Sequence, residues 1–324
     1  MCPNLRSPKI KPHFIAIAGP TGSGKSEVAF CLAKELNGDI ISCDSMQVYR
    51  GMGVLTQASP RDDRIPVRLV SFLSPGKEYD AAAYSRDAFK CLQAALKRGK
   101  TPIVVGGTGL YLRALLDGLF QAEEGGPLKD ERFRKKMLRA HEKQGNGFLH
   151  QKLSEVDEAA AQNIHPNDIR RIVRALEVHH LTGRPFSSEK KNRKGIRDQF
   201  FHRIYFLDRP RPELYERVNR RVQRMIEGGL VKEVRSLLGK KMSQTASMAL
   251  GFREIRSYLR GETTLDSAAE ILRQNTRHYA KRQWSWFRRE KGVVFIPVEA
   301  DESAQHIAQK ILSDWKAARS AGEA

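Results

Sequence analysis

The run Gly19-Pro20-Thr21-Gly22-Ser23-Gly24-Lys25-Ser26 matches the pattern G-x-x-x-x-G-K-[ST]. Glycines at this spacing let successive backbone N–H groups converge on phosphate oxygens, and a helix starting beside Lys25 adds its positive N-terminal end. Lys25 supplies a point charge. The Ser26 hydroxyl suits a Mg²⁺ that bridges phosphate oxygens, because a hard cation prefers oxygen ligands. Such a loop recognises a di- or triphosphate and leaves open what the phosphate carries.

Two further positions can do chemistry. Asp44 closes a short apolar run, at the edge of a sheet where open α/β folds bind their ligands. Its carboxylate can act as a general base, bind magnesium, or only cap the turn through Ser45, Met46 and Gln47. Thr108, within Gly106-Gly107-Thr108-Gly109, can hydrogen-bond a substrate or merely cap the helix beginning near Leu110. A second acid, Asp208, ends the run Ile204 to Asp208 and keeps a kinase reading open: Asp208 would hold magnesium while Asp44 activates a hydroxyl.

The elements that must position these groups follow from hydrophobic pattern. Phe14 to Ala18 reads as a buried strand, and Ser26 to Leu36 has helical spacing. Ile40 to Ser42 and Pro102 to Val105 read as further strands, each ending at one of the candidate residues. Strands alternating with helices predict an α/β fold, a P-loop NTPase-like parallel sheet flanked by helices. Glu123 to Pro127 is turn-like, and charged helical segments then run to a basic loop over Glu189 to Arg197. This predicts an inserted all-helical subdomain at 119–202 within a discontinuous core, 1–118 and 203–324. Arg203 to Leu207 resumes the sheet, Pro212 to Glu227 is a long helix, and Val293 to Val298 is a final strand before a terminal helix.

The chain of 324 residues carries 57 Lys+Arg against 37 Asp+Glu, a formal charge of +20. That excess favours polyanions through counterion release, nucleic acid first among them, although a basic surface can also serve solubility alone. Four cysteines, Cys2, Cys31, Cys43 and Cys91, form no C-x-x-C pair, which points to neither disulfides nor zinc. The N-terminus, with Pro3, Pro8 and Pro12, has no apolar stretch of signal-peptide length, and no segment reaches spanning length. A cytoplasmic protein without a membrane partner is expected.

Across nearly its whole length the chain resembles the tRNA dimethylallyltransferase (tRNA isopentenyltransferase) family. The phosphate loop with Thr21, the run Asp44-Ser45-Met46-Gln47-Val48-Tyr49-Arg50-Gly51-Met52, and Gly106-Gly107-Thr108-Gly109-Leu110-Tyr111 are similar to the family's core signature. His165-Pro166-Asn167-Asp168, Arg170-Arg171 and Arg174-Ala175-Leu176-Glu177 continue it within the insertion. Gly228-Gly229-Leu230, Leu250-Gly251-Phe252-Arg253-Glu254 and Thr276-Arg277-His278-Tyr279-Ala280-Lys281-Arg282-Gln283 extend it further.

The resemblance implies transfer of a dimethylallyl group from dimethylallyl diphosphate to the exocyclic amine of the adenine 3′ of the anticodon. It implies Asp44 as base, Thr108 orienting the adenine, and Lys25, Arg221 and Mg²⁺ on Ser26 stabilising the departing diphosphate. Arg217, Arg220 and Arg224, beside Arg221, read as a solvated basic face. For tRNA it implies Asp44, Ser45, Met46, Gln47 and Thr108 near the base, Arg134, Arg170, Arg171 and Arg174 on the insertion, and Gly251, Arg253, Lys281 and Arg282 elsewhere. Trp284, Trp286 and Phe287 can stack on RNA, but the core of an amphipathic helix is the plainer role. A monomer is expected, and without the zinc-finger cysteines of eukaryotic relatives the chain resembles the compact bacterial type.

Two segments depart from the family pattern. Gly53-Val54-Leu55-Thr56-Gln57-Ala58 replaces the usual Asp-Ile-Gly-Thr-Ala-Lys, and Val67-Arg68-Leu69 replaces His-His-Leu. Besides the kinase, the alternatives are a relative that prenylates free adenine nucleotides and a non-catalytic RNA-binding regulator. The insertion and the basic charge favour tRNA over the free nucleotide.

Overall fold

The computed structural model describes residues 11–58, 65–119, 129–145, 147–189 and 195–322. The turn expected at 123–127, most of the basic loop expected at 189–197, and the first ten residues lie outside the described residues.

Six strands form one sheet in the order β3-β2-β4-β1-β5-β6, and every pairing is parallel. They are β1 (His13–Ala18), β2 (Gly38–Ser42), β3 (Val67–Arg68), β4 (Thr101–Val105), β5 (Phe201–Asp208) and β6 (Val293–Pro297). A parallel sheet is covered on both faces, so its central strands read as unbroken apolar runs. Residues Phe14 to Ala18 of β1 are accordingly all buried. The edge strand β3 spans only two residues, too short for a periodic signal.

Helices α1 (Lys25–Glu35), α2 (Gly53–Thr56), α3 (Ala81–Lys97) and α4 (Gly109–Asp117) connect the first strands. One sheet face packs Ile15 and Ile17 against Val28, Leu32 and Trp315. The chain divides into two compact units, 1–116 with 196–324, and 117–195. Where the first unit is interrupted, Ile196 N–H donates to Leu115 O at 3.2 Å and Arg197 N–H to Leu116 O at 2.9 Å. The second unit holds α5 (Glu131–Gln144), α6 (Phe148–Val156), α7 (Glu158–Asn163), α8 (Ile169–Thr182) and α9 (Phe186–Glu189), around a core that includes Leu149, Leu153 and Ile172. After β5 come α10 (Arg211–Glu227), α11 (Leu230–Leu238), α12 (Phe252–Leu259) and α13 (Leu265–Phe287), then β6 and α14 (Ala304–Gly322).

Topology locates the site. From β1 the chain goes to β2, on the far side of β4, whereas from β4 it goes on to β5, on the far side of β1. The connections leaving these neighbouring strands therefore depart in opposite directions, and ligands of open α/β sheets bind in the crevice at such a switch point. The register places Ile17 beside Val105 and Val105 beside Ser42, so the loops after β1, β4 and β2 meet at one edge.

Candidate active site

The loop after β1 has the shape its motif predicts. Gly24 caps α1 in the left-handed region at φ 95°, a conformation that side chains with a Cβ rarely adopt. Lys25 Nζ curls back to donate to Pro20 O at 2.7 Å. Burial, helped by nearby Arg221 and opposed by Asp44 and Glu27, holds the Lys25 pKa down at about 8. The Ser23 hydroxyl is fully buried and lacks a hydrogen-bond partner. A desolvated ammonium and an orphaned buried hydroxyl in one cradle fit an oxygen-rich anion.

The acceptor side is built on β2 and β4. Cys43 N–H donates to Val105 O at 2.7 Å, extending the strand pairing, and the next residue is Asp44. Asp44 Oδ1 accepts the N–H of Met46 at 2.8 Å and of Gln47 at 3.4 Å, so the capping role is realised with that oxygen, and Oδ2 takes no part in those bonds. Thr108 is tied to the same turn: its hydroxyl accepts Ser45 N–H at 3.1 Å, and its own N–H donates to Cys43 O at 3.2 Å. Burial and the nearby Asp44 carboxylate push the Tyr279 hydroxyl above its ordinary pKa. A Cβ on Gly106 would fall 2.0 Å from Cys43 O, so only glycine lets these two loops approach so closely. Burial pushes the Cys43 thiol up to about 12, which makes it unreactive at neutral pH.

Helix α10 brings its arginines to the phosphate loop. Arg221 lies within the electrostatic reach of Asp44, and its pKa is lowered chiefly by burial, against the attraction of Asp44. Arg217, one turn earlier, donates Nε–H to Gly22 O at 2.7 Å and is half-buried. The expectation of a solvated face is thus corrected at Arg217, because an i, i+4 pair on one face meets the same neighbour. Arg220 and Arg224 are exposed.

Helix α13 lines the inner side. Gln283 Oε1 accepts Thr21 N–H at 2.8 Å, and Gln283 Nε2 donates to Gly107 O at 3.0 Å. Trp284 donates its indole N–H to Asp208 Oδ1 at 2.9 Å, Trp286 lies against Gly109 with the Arg113 guanidinium 4.3 Å above its ring, and Phe287 is buried. These aromatics serve packing.

Within the insertion, Glu177 is fully buried and gathers three donors. Arg134 binds it bidentately at 2.7 and 2.8 Å, Arg174 at 2.5 Å, and Asp130 N–H at 2.8 Å. Burial alone would raise the Glu177 pKa, but these hydrogen bonds outweigh it and hold the carboxylate below its ordinary range. Arg134 and Arg174 are therefore engaged inside the unit, whereas Arg170 and Arg171 are exposed, Arg171 lying 3.7 Å from Asp168. On α5, Arg132, Lys135, Lys136, Arg139 and Lys143 line one shallow groove.

The family model for IPP transferase matches residues 47–290. The chain belongs to the IPP transferase family. Of its relatives, the tRNA dimethylallyltransferase of Carboxydothermus hydrogenoformans is 42% identical over 93% of this chain and 96% of the relative. The crystal structure of the full-length tRNA isopentenylpyrophosphate transferase of Bacillus halodurans is 34% identical, with a TM-score of 0.67, covering 97% of this chain and 99% of that one. A eukaryotic dimethylallyltransferase, captured acting on tRNA, superposes with a TM-score of 0.79 at 27% identity, over 95% of this chain and 80% of its own.

In this IPP transferase family member the altered segment after Met52 supports the site. Residues Gly53 to Thr56 form α2, whose first amides, Val54 N–H and Leu55 N–H, are taken by the Glu233 carboxylate at 2.9 and 2.7 Å. At its other end Thr56 O accepts from Arg221 at 3.4 Å. Gln47 is held by Ser42 Oγ–H at 3.0 Å and donates to Gln57 O at 3.3 Å. In the second altered segment, Val67 and Arg68 form the edge strand β3, and Leu69 follows with φ 60°.

Ser45 and Met46 are half-buried beside Asp44, while Arg253, Lys281 and Arg282 are exposed. Gly251 begins α12 at φ 96° and packs on Leu55 and Leu272, a backbone role independent of any ligand. Sequence reasoning gave Arg217 a solvated face and assigned no individual part to Gln283, Tyr279 or the α5 groove. Tyr279 and Gln283 lie one turn apart on α13, and no local sequence pattern ties either to the loops after β1 and β4.

Proposed function

We propose that this protein transfers the dimethylallyl group of dimethylallyl diphosphate to N6 of the adenine 3′-adjacent to the anticodon of tRNA, releasing diphosphate. The observation that carries this reading is convergence: the Asp44 carboxylate lies within the fields of both Lys25 and Arg221. A base and two anion-holding cations thus share one crevice.

The diphosphate rests in the loop 19–26, held by backbone amides, Lys25 and Arg221. The adenine leaves the base stack, at a cost of a few kcal/mol, and enters beside Asp44 and Thr108. The N6 nitrogen attacks the allylic carbon, the carbon–oxygen bond breaks with its electron pair passing to diphosphate, and the N6 proton passes to Asp44. The amine is a weak nucleophile, so the barrier falls mainly by stabilising the leaving oxygens. Ser26 is the residue that would hold a Mg²⁺, which would supply charge neutralisation to the leaving group.

The RNA is held by Ser45, Met46 and Gln47 near the base, by Arg170 and Arg171, and by Arg253, Lys281 and Arg282. The cationic α5 groove adds a further set of side chains able to neutralise RNA phosphates. The protein acts as a monomer in the cytoplasm. Among the described residues no helix is long and apolar enough to cross a membrane.

The test is incubation with labelled dimethylallyl diphosphate and either an anticodon stem-loop or AMP. Label on the stem-loop at the adenine 3′ of the anticodon is expected. Label confined to AMP, or no transfer with ATP consumed instead, contradicts the proposal.

A further inference from the structure

A buried amide side chain must find partners for both its oxygen and its nitrogen, and the partners it chooses report what it holds together. Gln283 is buried, at 6% exposure. Its two bonds go to different loops: Thr21 belongs to the phosphate loop after β1, and Gly107 to the loop after β4 that carries Thr108. These are the two loops flanking the switch-point crevice. The fit leaves no slack, because a Cβ on Gly107 would lie 2.0 Å from Gln283 Nε2 and 3.1 Å from Gly19 O. Through Gln283, helix α13 thus grips the donor loop at one point and the acceptor loop at another.

We propose that Gln283 is a positioning residue that sets the distance between the diphosphate cradle and the Asp44–Thr108 pair, and hence the approach of N6 to the allylic carbon. This rests on the transfer reaction proposed above. Each half of the site is otherwise built from its own groups, Lys25 and Arg221 on one side, Asp44 and Thr108 on the other. Removing the bridge therefore leaves each substrate's binding groups in place and loosens only their mutual register. Bound reactants misplaced by about 1 Å can lose on the order of 10²-fold in rate. The loss belongs in kcat, since binding of each substrate alone does not require the register. The bridge also occupies Thr21 N–H, so this amide is protected before any donor binds.

The test uses the full-length protein with Gln283→Met, which fills the volume without hydrogen bonds, and Gln283→Glu, which keeps an acceptor for Thr21 and cannot donate to Gly107. Single-turnover transfer to a stem-loop at saturating dimethylallyl diphosphate is expected to slow by about 10²-fold in Gln283→Met, with the donor KM and RNA Kd within about threefold. Hydrogen exchange at the Thr21 amide is expected to be slow in the donor-free wild type and in Gln283→Glu, and at least about tenfold faster in Gln283→Met. Unchanged single-turnover rate in Gln283→Met, a loss confined to donor KM, or rapid Thr21 exchange in the wild type overturns the proposal. The exchange measurement needs neither variant activity nor substrate. Failure of the wild type to modify the stem-loop would count against the transfer reaction alone and leave the bridge to be judged by Thr21.

Discussion

Trp284 donates its indole N–H to Asp208 at 2.9 Å, so the acid at the end of β5 anchors a helix. A kinase of this architecture would need Asp208 for magnesium. Asp208→Asn keeps an acceptor for Trp284 and loses only the charge, which costs about 1 kcal/mol of stability. We expect it to transfer dimethylallyl within about threefold of the wild-type rate, where loss of a magnesium ligand would cost orders of magnitude. Steady-state transfer together with an assay for ATP consumption checks this.

Lys25 gives the site a pH signature. Its pKa is about 8 in the folded protein against 10.5 for an unperturbed lysine. Between these values the unfolded chain binds the extra proton, so stability of the donor-free protein rises with pH across that window. Diphosphate stabilises the ammonium, so donor binding takes up a proton near pH 8 and weakens as pH rises above it. Calorimetric titration in buffers of different ionisation enthalpy measures the uptake. In Lys25→Met the uptake disappears and the donor KM rises on the order of 10²-fold.

Glu177 organises the insertion. Removing its charge leaves Arg134 and Arg174 facing a buried neutral group, and breaking such a buried pair costs about 3 kcal/mol. Because both arginines are about one-third exposed and can turn toward water, Glu177→Gln should lie at or below that figure. The folded Glu177 pKa is depressed, so its contribution is present above the ordinary carboxylate value of 4.5 and is lost as pH falls below it. Urea unfolding at two pH values measures both effects.

If the α5 groove holds RNA, its cations should behave differently from the structural ones at Glu177. Lys136→Ala with Arg139→Ala should weaken stem-loop binding and lower the salt slope by about one for each phosphate left without its cation. Arg134→Ala should instead destabilise the protein and change the salt slope little. Binding titrations across a salt series, beside thermal melts, distinguish the two.

Most of the sheet and the loops that carry the candidate site were legible because their signals are local. A glycine-rich loop between a strand and a helix, and an acid closing an apolar run, can be read without tertiary contacts. What escaped depends on residues far apart in sequence. Gln283 acts on Thr21 and Gly107, Arg217 on Gly22, and Glu233 on α2, and nothing in their own neighbourhoods announces this. Arg134 and Arg174 read as RNA ligands until the burial of Glu177 between them becomes visible. The edge strand at Val67–Arg68 was missed because two residues carry no periodicity.

Asp44 carries the account, and one experiment reaches it directly. Single-turnover dimethylallyl transfer to an anticodon stem-loop is measured for wild type and Asp44→Asn, with donor and RNA affinities determined separately. Loss of a general base predicts a rate lower by about 10²–10⁴-fold with both affinities within about threefold. A rate for Asp44→Asn equal to that of the wild type would contradict the assignment of Asp44 as the base.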